Sequence, residues 1–544
     1  MRKVIFLTIL LVLTALGYSQ TPVPVRNRIL LVPLDSRPAA GQFCQMIGAI
    51  NDTKVETPPI DMLGKFTTPG NVDEIFGWLE SQRLDDVSAI IVSSDMIAYG
   101  GLIASRVNDV DTTTAIARLQ RLIDFRKKAP EPIKMYVYAS TMRLTPTATK
   151  EAASYRLNLA KYEEMKDRYE RTHDPALPSK LTNLRRMVPA IEIQHYEQTR
   201  RRNYQVQAAL LRFAIGKEID FLVMGQDDAK PDGPHIQENA RLKRLATQYH
   251  VEDKVYFCEG IDQHSNLLLS RAILAEHNWK PKVRIVYSDE AGKDQYASYE
   301  SKTVKESLQD QLFASGAEMA KDTDQYDYSL YVNTPDRREP QFEAFLERMR
   351  NEIDQGFPVA VADINFSVSG TSDEELFNFL VRTGKSFRLL AFAGWNTAGN
   401  TMGTAIPAAN VYLCARKYEV NPLRRELAQR EFLMHRMIDD WAYHRFTRPA
   451  AYQMIDELQD TRDEVYGANF DAVNTFVAND LRKYVRQIFL SQFQYRRFFA
   501  GTKEYQISDI TDLKIELPWP RAYEVRVDFK LRAEETGPNG SGGS

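Results

Sequence analysis

The sequence predicts an α/β protein on mostly parallel sheet, with a helical insertion and a helical C-terminal region. Three observations predict it. Short continuous apolar runs rich in Val, Ile, Leu and Tyr recur along the chain. Longer amphipathic stretches lie between most of them. One highly charged segment, broken by Pro175, Pro178 and Pro189, is far longer than a crossover needs. Continuous apolar runs suit strands buried on both faces, as in parallel sheets. Their alternation with helices argues for α/β architecture.

Residues 1–20 read as a secretory signal peptide: Arg2 and Lys3, an apolar run over 4–16, then Gly17-Tyr18-Ser19-Gln20. The run is short for a membrane span, and no later stretch is long enough. No Cys follows it, which argues against a lipid anchor. The protein is therefore expected to be exported, periplasmic or extracellular, without a membrane span.

A first α/β domain is expected over 21–280. Its strands fall at 29–34, 89–92, 135–138, 221–224 and 255–258, with helices at 72–83, 113–127, 235–249 and 265–277. The charged segment, about 147–217, is the helical insertion, read equally well as a lid over the strand ends or as a buttress. A break near Trp279-Lys280-Pro281 opens a second α/β unit over 281–410. It has runs at 283–287, 329–332, 359–362 and 389–392, and helices at 304–313 and 341–355. Residues 411–532 form a helical region, notably 423–443 and 472–489. It closes on a Pro-Trp-Pro turn and a strand at 523–531 with Val525, Val527 and Phe529 on one face. Residues 533–544, ending in Gly- and Ser-rich sequence, are expected to be a disordered tail. No internal repeat is visible. Two doubly wound sheets or one barrel plus an extra unit both fit, and the break near Pro281 favours two units.

Bulk properties bound the function. The chain of 544 residues exceeds one ordinary domain. A formal net charge of -3 lacks the basic excess of a nucleic-acid binder. The run Arg200-Arg201-Arg202 reads as a solvated helix face. Cys44, Cys258 and Cys414 are too few and scattered for a disulfide framework, and read as buried thiols.

Parallel α/β folds bind ligands beyond the carboxyl ends of their strands. The residues following each run are therefore the candidates. They are Asp35 and Arg37; Ser94, Asp95 and Tyr99; Arg143; Gln226, Asp227 and Asp228; Glu259, Asp262 and His264; Asp363 and Asn365; Trp395 and Asn396. Any one Asp is as well explained by helix capping. Seven polar exits, with Arg37, Arg143, Tyr99 and Trp395 among them, describe a polar, aromatic-flanked pocket.

Gly225-Gln226-Asp227-Asp228 is the sharpest motif. Adjacent carboxylates repel, so that one becomes an acid, or they bind a hard cation. Otherwise Asp228 caps a turn and Asp227 pairs with an Arg. His235 and Glu238 share a helix face and could form half a metal site, although this is also ordinary helix-start grammar. His264 reads as ligand, base or cap neighbour. Trp395 with Asn396 suits a sugar, whose C–H face stacks on the ring and whose hydroxyls bond the amide. Trp395 could equally be a core residue under its loop. No dinucleotide fingerprint, phosphate loop, zincin motif or nucleophile elbow is present.

The set Val32-Pro33-Leu34-Asp35-Ser36-Arg37-Pro38, Ser94-Asp95 with Tyr99-Gly100-Gly101, Gly225-Gln226-Asp227-Asp228, Gly394-Trp395-Asn396-Thr397 and Pro518-Trp519-Pro520-Arg521 resembles a bacterial family. That family is catalogued as a domain of unknown function, number 4127. The resemblance runs from about residue 28 to 529. It implies one integrated protein and adds no reaction.

Three functions compete. The first is an exported carbohydrate-active hydrolase, with Asp227 or Asp228 as one carboxyl of the acid–base pair and Asp35, Asp95, Glu259 or Asp363 as the other. Its substrate is a small molecule or glycan, and it needs no cofactor. The second is a metal-dependent amide or ester hydrolase, with a divalent ion on Asp227, Asp228, His235 and His264. The third is a non-catalytic envelope protein that captures a ligand between two α/β units.

Overall fold

The computed structural model describes residues 27–107, 109–130, 132–149, 151–321, 323–366 and 370–536. The expected signal peptide and the Gly/Ser tail from 537 lie outside them.

The apolar runs form two open sheets. The first contains β1 (Arg28–Val32), β2 (Lys54–Glu56), β3 (Val87–Ser93), β4 (Lys134–Thr141), β5 (Phe221–Gln226) and β6 (Val255–Glu259). Its order is β2-β1-β3-β4-β5-β6, parallel throughout. The second contains β7 (Lys282–Tyr287), β8 (Glu318–Met319), β9 (Tyr328–Asn333), β10 (Val359–Asp363) and β11 (Ala391–Ala393). Its order is β11-β10-β9-β7-β8, also parallel. The architecture is thus two doubly wound units rather than a barrel. Counted from its own first strand, each sheet begins 2-1-3-4-5. Such sheets reverse between first and third strand, and ligands bind beyond the carboxyl ends at that switch point.

A helical layer joins the two sheets. Helices Gln42–Ile50, His264–Glu276, Val304–Ser315 and Ala398–Lys417 bury their apolar side chains in one core. That core includes Leu31, Tyr138 and Val223 of the first sheet and Val283, Leu330 and Ala360 of the second. Ala398–Lys417 is apolar nearly all round and buried along most of its length, as a helix of that composition must be. It runs through the expected boundary at 410 with Pro407 inside it. Packing on both sides holds the helix where a Pro alone would signal an end.

The insertion is helical as expected, in Arg156–Thr172, Leu177–Arg186 and Ala190–Ile215. The C-terminal region carries helix Pro422–Arg436, which continues as π-helix over Met437–Thr447, and then Arg448–Glu457 and Gly467–Ile488. It ends in an antiparallel sheet of β12 (Arg497–Ala500), β13 (Lys503–Glu516) and β14 (Arg526–Glu535), ordered β12-β13-β14. Val525, Val527 and Phe529 are buried, as the alternation predicts. β14 begins three residues after the expected start at 523 and continues to Glu535, past the expected strand end at 531 and into the segment expected to be a disordered tail from 533. β13 was not expected, because its polar, largely solvent-facing sequence carries no apolar alternation. Among the described residues no helix is long and apolar enough to cross a membrane.

Gly225 illustrates how tightly β5 and the shared layer meet. A Cβ there would lie 2.2 Å from Cε1 of His264 and 2.9 Å from the Gly260 carbonyl oxygen. Gly225→Ala should therefore lower stability by about 1–3 kcal/mol, the usual cost of overpacking. Urea unfolding checks this. The midpoint should fall, and combining the change with His264→Ala should cost less than the sum of the two singles. An unchanged midpoint for Gly225→Ala would refute the contact.

Candidate functional site at the carboxyl edge of the first sheet

Because all six strands of the first sheet are parallel, their exits share one edge. The β1 exit folds back on itself. Asp35 Oδ1 accepts from the Arg37 amide at 3.0 Å, and Asp35 Oδ2 accepts from Arg37 Nη2 at 2.7 Å. The same guanidinium reaches across to Asp262, with Nη2–Oδ1 at 2.7 Å. It stands 4.9 Å from the Trp519 ring centroid, while Trp519 Nε1 donates to Ser36 Oγ at 2.9 Å. Burial raises the Asp262 carboxyl above the usual range, outweighing the opposing pull of Arg37.

The β5 exit carries the paired carboxylates, and each has its own arginine. Arg106 donates to Asp227 at 2.6 Å, and Arg143 pairs with Asp228. Burial pushes the Asp227 carboxyl up, but Arg106 and Arg143 overcome it and hold the group below the usual range. Gln226 braces the turn through Nε2 to the Asp227 carbonyl at 2.7 Å and receives Asn239 Nδ2 on Oε1 at 2.9 Å.

The long helix Ala190–Ile215 fixes both arginines. Arg200 donates to the carbonyls of Met142 and Arg143 at 3.0 and 3.1 Å and pairs with Glu238. Arg202 donates to the carbonyls of Ser105 and Val107, each at 2.7 Å. The expectation of a solvated face at 200–202 is thus corrected. Arg200 and Arg202 are buried, and only Arg201 is exposed. They satisfy loop carbonyls that no sheet ladder reaches, which is the demand any buried backbone oxygen makes.

These exits surround a cavity of ≈ 370 Å³. It brings together Arg37, Arg143, Asp227, Asp228, Asp262 and Asn396 of the sequence-predicted set. The structure adds Arg106 from the β3 exit, Tyr299 from the second unit, and Trp519, Arg521 and Tyr523 from the C-terminal segment. Tyr523 OH donates to Asn396 Oδ1 at 2.7 Å, tying two of these walls together. Tyr299 and Asn396 both hold left-handed backbone, at φ 67° and 57°. For a bulky residue such as Tyr299 that conformation is uncommon. Its carbonyl accepts from the Ala229 amide at 2.9 Å, directly after Asp228.

Other predicted residues lie behind or away from the cavity. Asp35 backs Arg37. Asp95 is buried beneath, accepting from the Ser140 amide at 2.8 Å. Burial pushes Asp95 up to about 7, with Asp227 adding to the shift. Ser94 and Tyr99 belong to the short buried helix Ser94–Tyr99, closed by left-handed Gly100, and Tyr99 packs on Arg202 rather than flanking a pocket. Glu259 receives the Ser301 hydroxyl at 2.6 Å. His264 is wholly buried edge-on to Tyr138, and burial lowers it to about 3, so it is a neutral packing group. His235 bonds the Lys230 carbonyl at 2.9 Å, while its neighbour Glu238 serves Arg200. Among the described residues no three His, Cys, Asp or Glu side chains converge as metal ligands.

Trp395 is core: it meets Phe43 edge-on at 5.6 Å and donates Nε1 to Thr404. Asp363 and Asn365 sit at the second sheet's carboxyl edge in a closed network. Asp363 receives Asn333 Nδ2 at 2.9 Å and the Asp373 amide at 2.5 Å, and Asn365 Nδ2 donates to Asp373. The helix cap there is Asp373, which was not among the candidates: its side chain accepts from the Glu375 and Leu376 amides of helix Glu374–Arg382.

Asp95 gives a pH-linked prediction. Its folded carboxyl titrates near 7, well above the ordinary value of about 4 for Asp, so the folded state holds a proton that the unfolded chain has lost. This contribution to stability is full at acid pH and is lost as pH rises toward 7 and beyond. Asp95→Asn should flatten the decline in melting temperature between pH 5 and 8. An identical slope in both proteins would contradict the assignment.

Comparison with curated proteins and with solved structures returns no match. One family model, described as a protein of unknown function (DUF4127), matches residues 29–528. That span covers both sheets, the helical insertion and most of the C-terminal region. The chain belongs to the DUF4127 family.

Proposed function

We propose that the protein is an exported carbohydrate-active hydrolase in which Asp262 is the proton donor and Asp227 the base or nucleophile. The observation that carries the reading is the opposite perturbation of two carboxyls on one cavity. Asp262 is raised and Asp227 lowered. Environments that drive two titratable groups apart assign their acid and base roles. Glycosidic cleavage requires that division: one carboxyl protonates the leaving oxygen, and the other activates water or attacks the anomeric carbon.

Charge balance on the walls supports the substrate class. Arg37 is matched by Asp35, Arg106 by Asp227, Arg143 by Asp228 and Arg521 by Glu524. No excess charge selects an ion. Donors and acceptors lie side by side, as hydroxyl groups require. Tyr299 and Tyr523, both exposed, supply flat faces for C–H surfaces. The signal-peptide pattern at the N-terminus supports export.

A panel of chromogenic glycosides and soluble polysaccharides tests the reading. Asp227→Asn and Asp262→Asn should each lower kcat by roughly 10²-fold or more, the usual scale of general acid–base assistance. The wild-type rate should follow a bell in pH. It falls on the acid side as Asp227 takes up a proton. It falls on the alkaline side as Asp262 loses one, above the usual carboxylate range. Full turnover in both variants, or a wild-type protein inert toward the whole panel, would overturn the proposal. Binding without turnover would leave a ligand-capture protein.

A further inference from the structure

The concave surface does not end at the reacting carboxyls. A second chamber of ≈ 450 Å³ lies beside the first, and the two share Ile103, Arg106, Arg143 and Thr147 as a common wall. Its far wall is the helical insertion, which contributes Tyr155, Glu192, His195 and Gln198. Tyr155 OH donates to Glu192 at 2.9 Å, fixing two of these side chains against each other.

From this geometry we propose that the site takes an extended carbohydrate chain, with its reacting unit at Asp227 and Asp262 and its further units in the chamber under the insertion. The inference rests on the carbohydrate reading above and names the length of its substrate.

Four observations support it. Each chamber alone has the volume of a ligand pocket, so one sugar unit leaves the second unused. The partition is polar and incompletely satisfied: Arg106 and Arg143 each retain a buried Nε–H without a partner, and such groups cost free energy until an acceptor arrives. Arg106 and Arg143 are already paired with Asp227 and Asp228, so Asp109 and Glu192 leave the second chamber acidic, which disfavours a polyanion. A crossover this long exceeds what a parallel connection needs. Walling a second chamber gives its outer helices a role beyond clamping the arginine loops.

The test uses the full chain and homologous series of gluco-, xylo-, manno- and chito-oligosaccharides from one to six units. Binding is measured by titration calorimetry, and cleavage by release of reducing ends. In the series that is cleaved, affinity should rise about tenfold or more between the shortest and longest members, a gain of about 1.4 kcal/mol or more. His195 and Gln198 lie on an exposed helix face, so changes there should leave the fold intact. Gln198→Trp should fill the chamber and bring kcat/KM for long chains down toward that for short ones, and His195→Ala should give a smaller drop. Affinity independent of length, or a length gain that survives Gln198→Trp, overturns the extended site alone. If no member of any series binds or is cleaved, the carbohydrate reading itself falls.

Discussion

Arg37 is the residue on which the arrangement depends. Its guanidinium joins Asp35 to Asp262, 225 positions further along the chain, above the Trp519 ring. Trp519 in turn bonds Ser36 across 483 positions. One buried cation therefore holds the β1 exit, the loop after β6 and the C-terminal segment in register. Removing either partner of a buried ion pair costs about 3–5 kcal/mol, because the remaining charge is left uncompensated. Trp519, Arg521 and Tyr523 form part of the cavity wall. The C-terminal region is thus part of the site rather than an appendage to two α/β units.

The two sheets show what the shared strand order does. Each reverses between its first and third strands, so each gathers polar exits at one edge. At the second sheet those exits close on one another, with Asp363 bonded to Asn333 and to the Asp373 amide, and Asn365 bonded to Asp373. At the first sheet the exits open onto a cavity walled by Thr147 and Ala148 at the start of the insertion and by Trp519, Arg521 and Tyr523 of the C-terminal segment. Identical topology yields a network in one unit and a pocket in the other. The difference lies in what covers the strand ends, not in the strands.

This explains what was legible in the sequence. The long strands were readable because burial on both faces demands uninterrupted apolar residues. β2 and β8 are too short to leave such a mark, and β13 is too polar. Arg37, Asp227, Asp228 and Asp262 were readable because parallel strands place their exits together. Trp395, Tyr99 and His264 occupy equivalent positions but turn inward, and an exit residue's identity does not reveal which way it faces. Arg106, Tyr299, Arg521 and Tyr523 were not named as site residues, although Arg521 stands in the closing Pro518-Trp519-Pro520-Arg521 motif. Their approach is decided by tertiary packing: helix Ala190–Ile215 holding the Ser105 and Val107 carbonyls, and the Pro-Trp-Pro turn docking on Ser36.

A neighbouring cation favours the ionised form of a carboxyl, so arginine partners on both Asp262 and Asp227 would be expected to shift the two alike. The outcome depends on how each guanidinium is shared. Arg37 serves two carboxylates, Asp35 and Asp262, so its field is divided and burial prevails at Asp262. Asp227 meets Arg106 directly and feels Arg143 as well, so two cations outweigh the same burial. Counting arginines per carboxylate, rather than noting that each has one, separates the raised carboxyl from the lowered one. The asymmetry is built into the chain by the adjacency of Asp35 and Arg37 on one strand exit and the convergence of two different exits on Asp227.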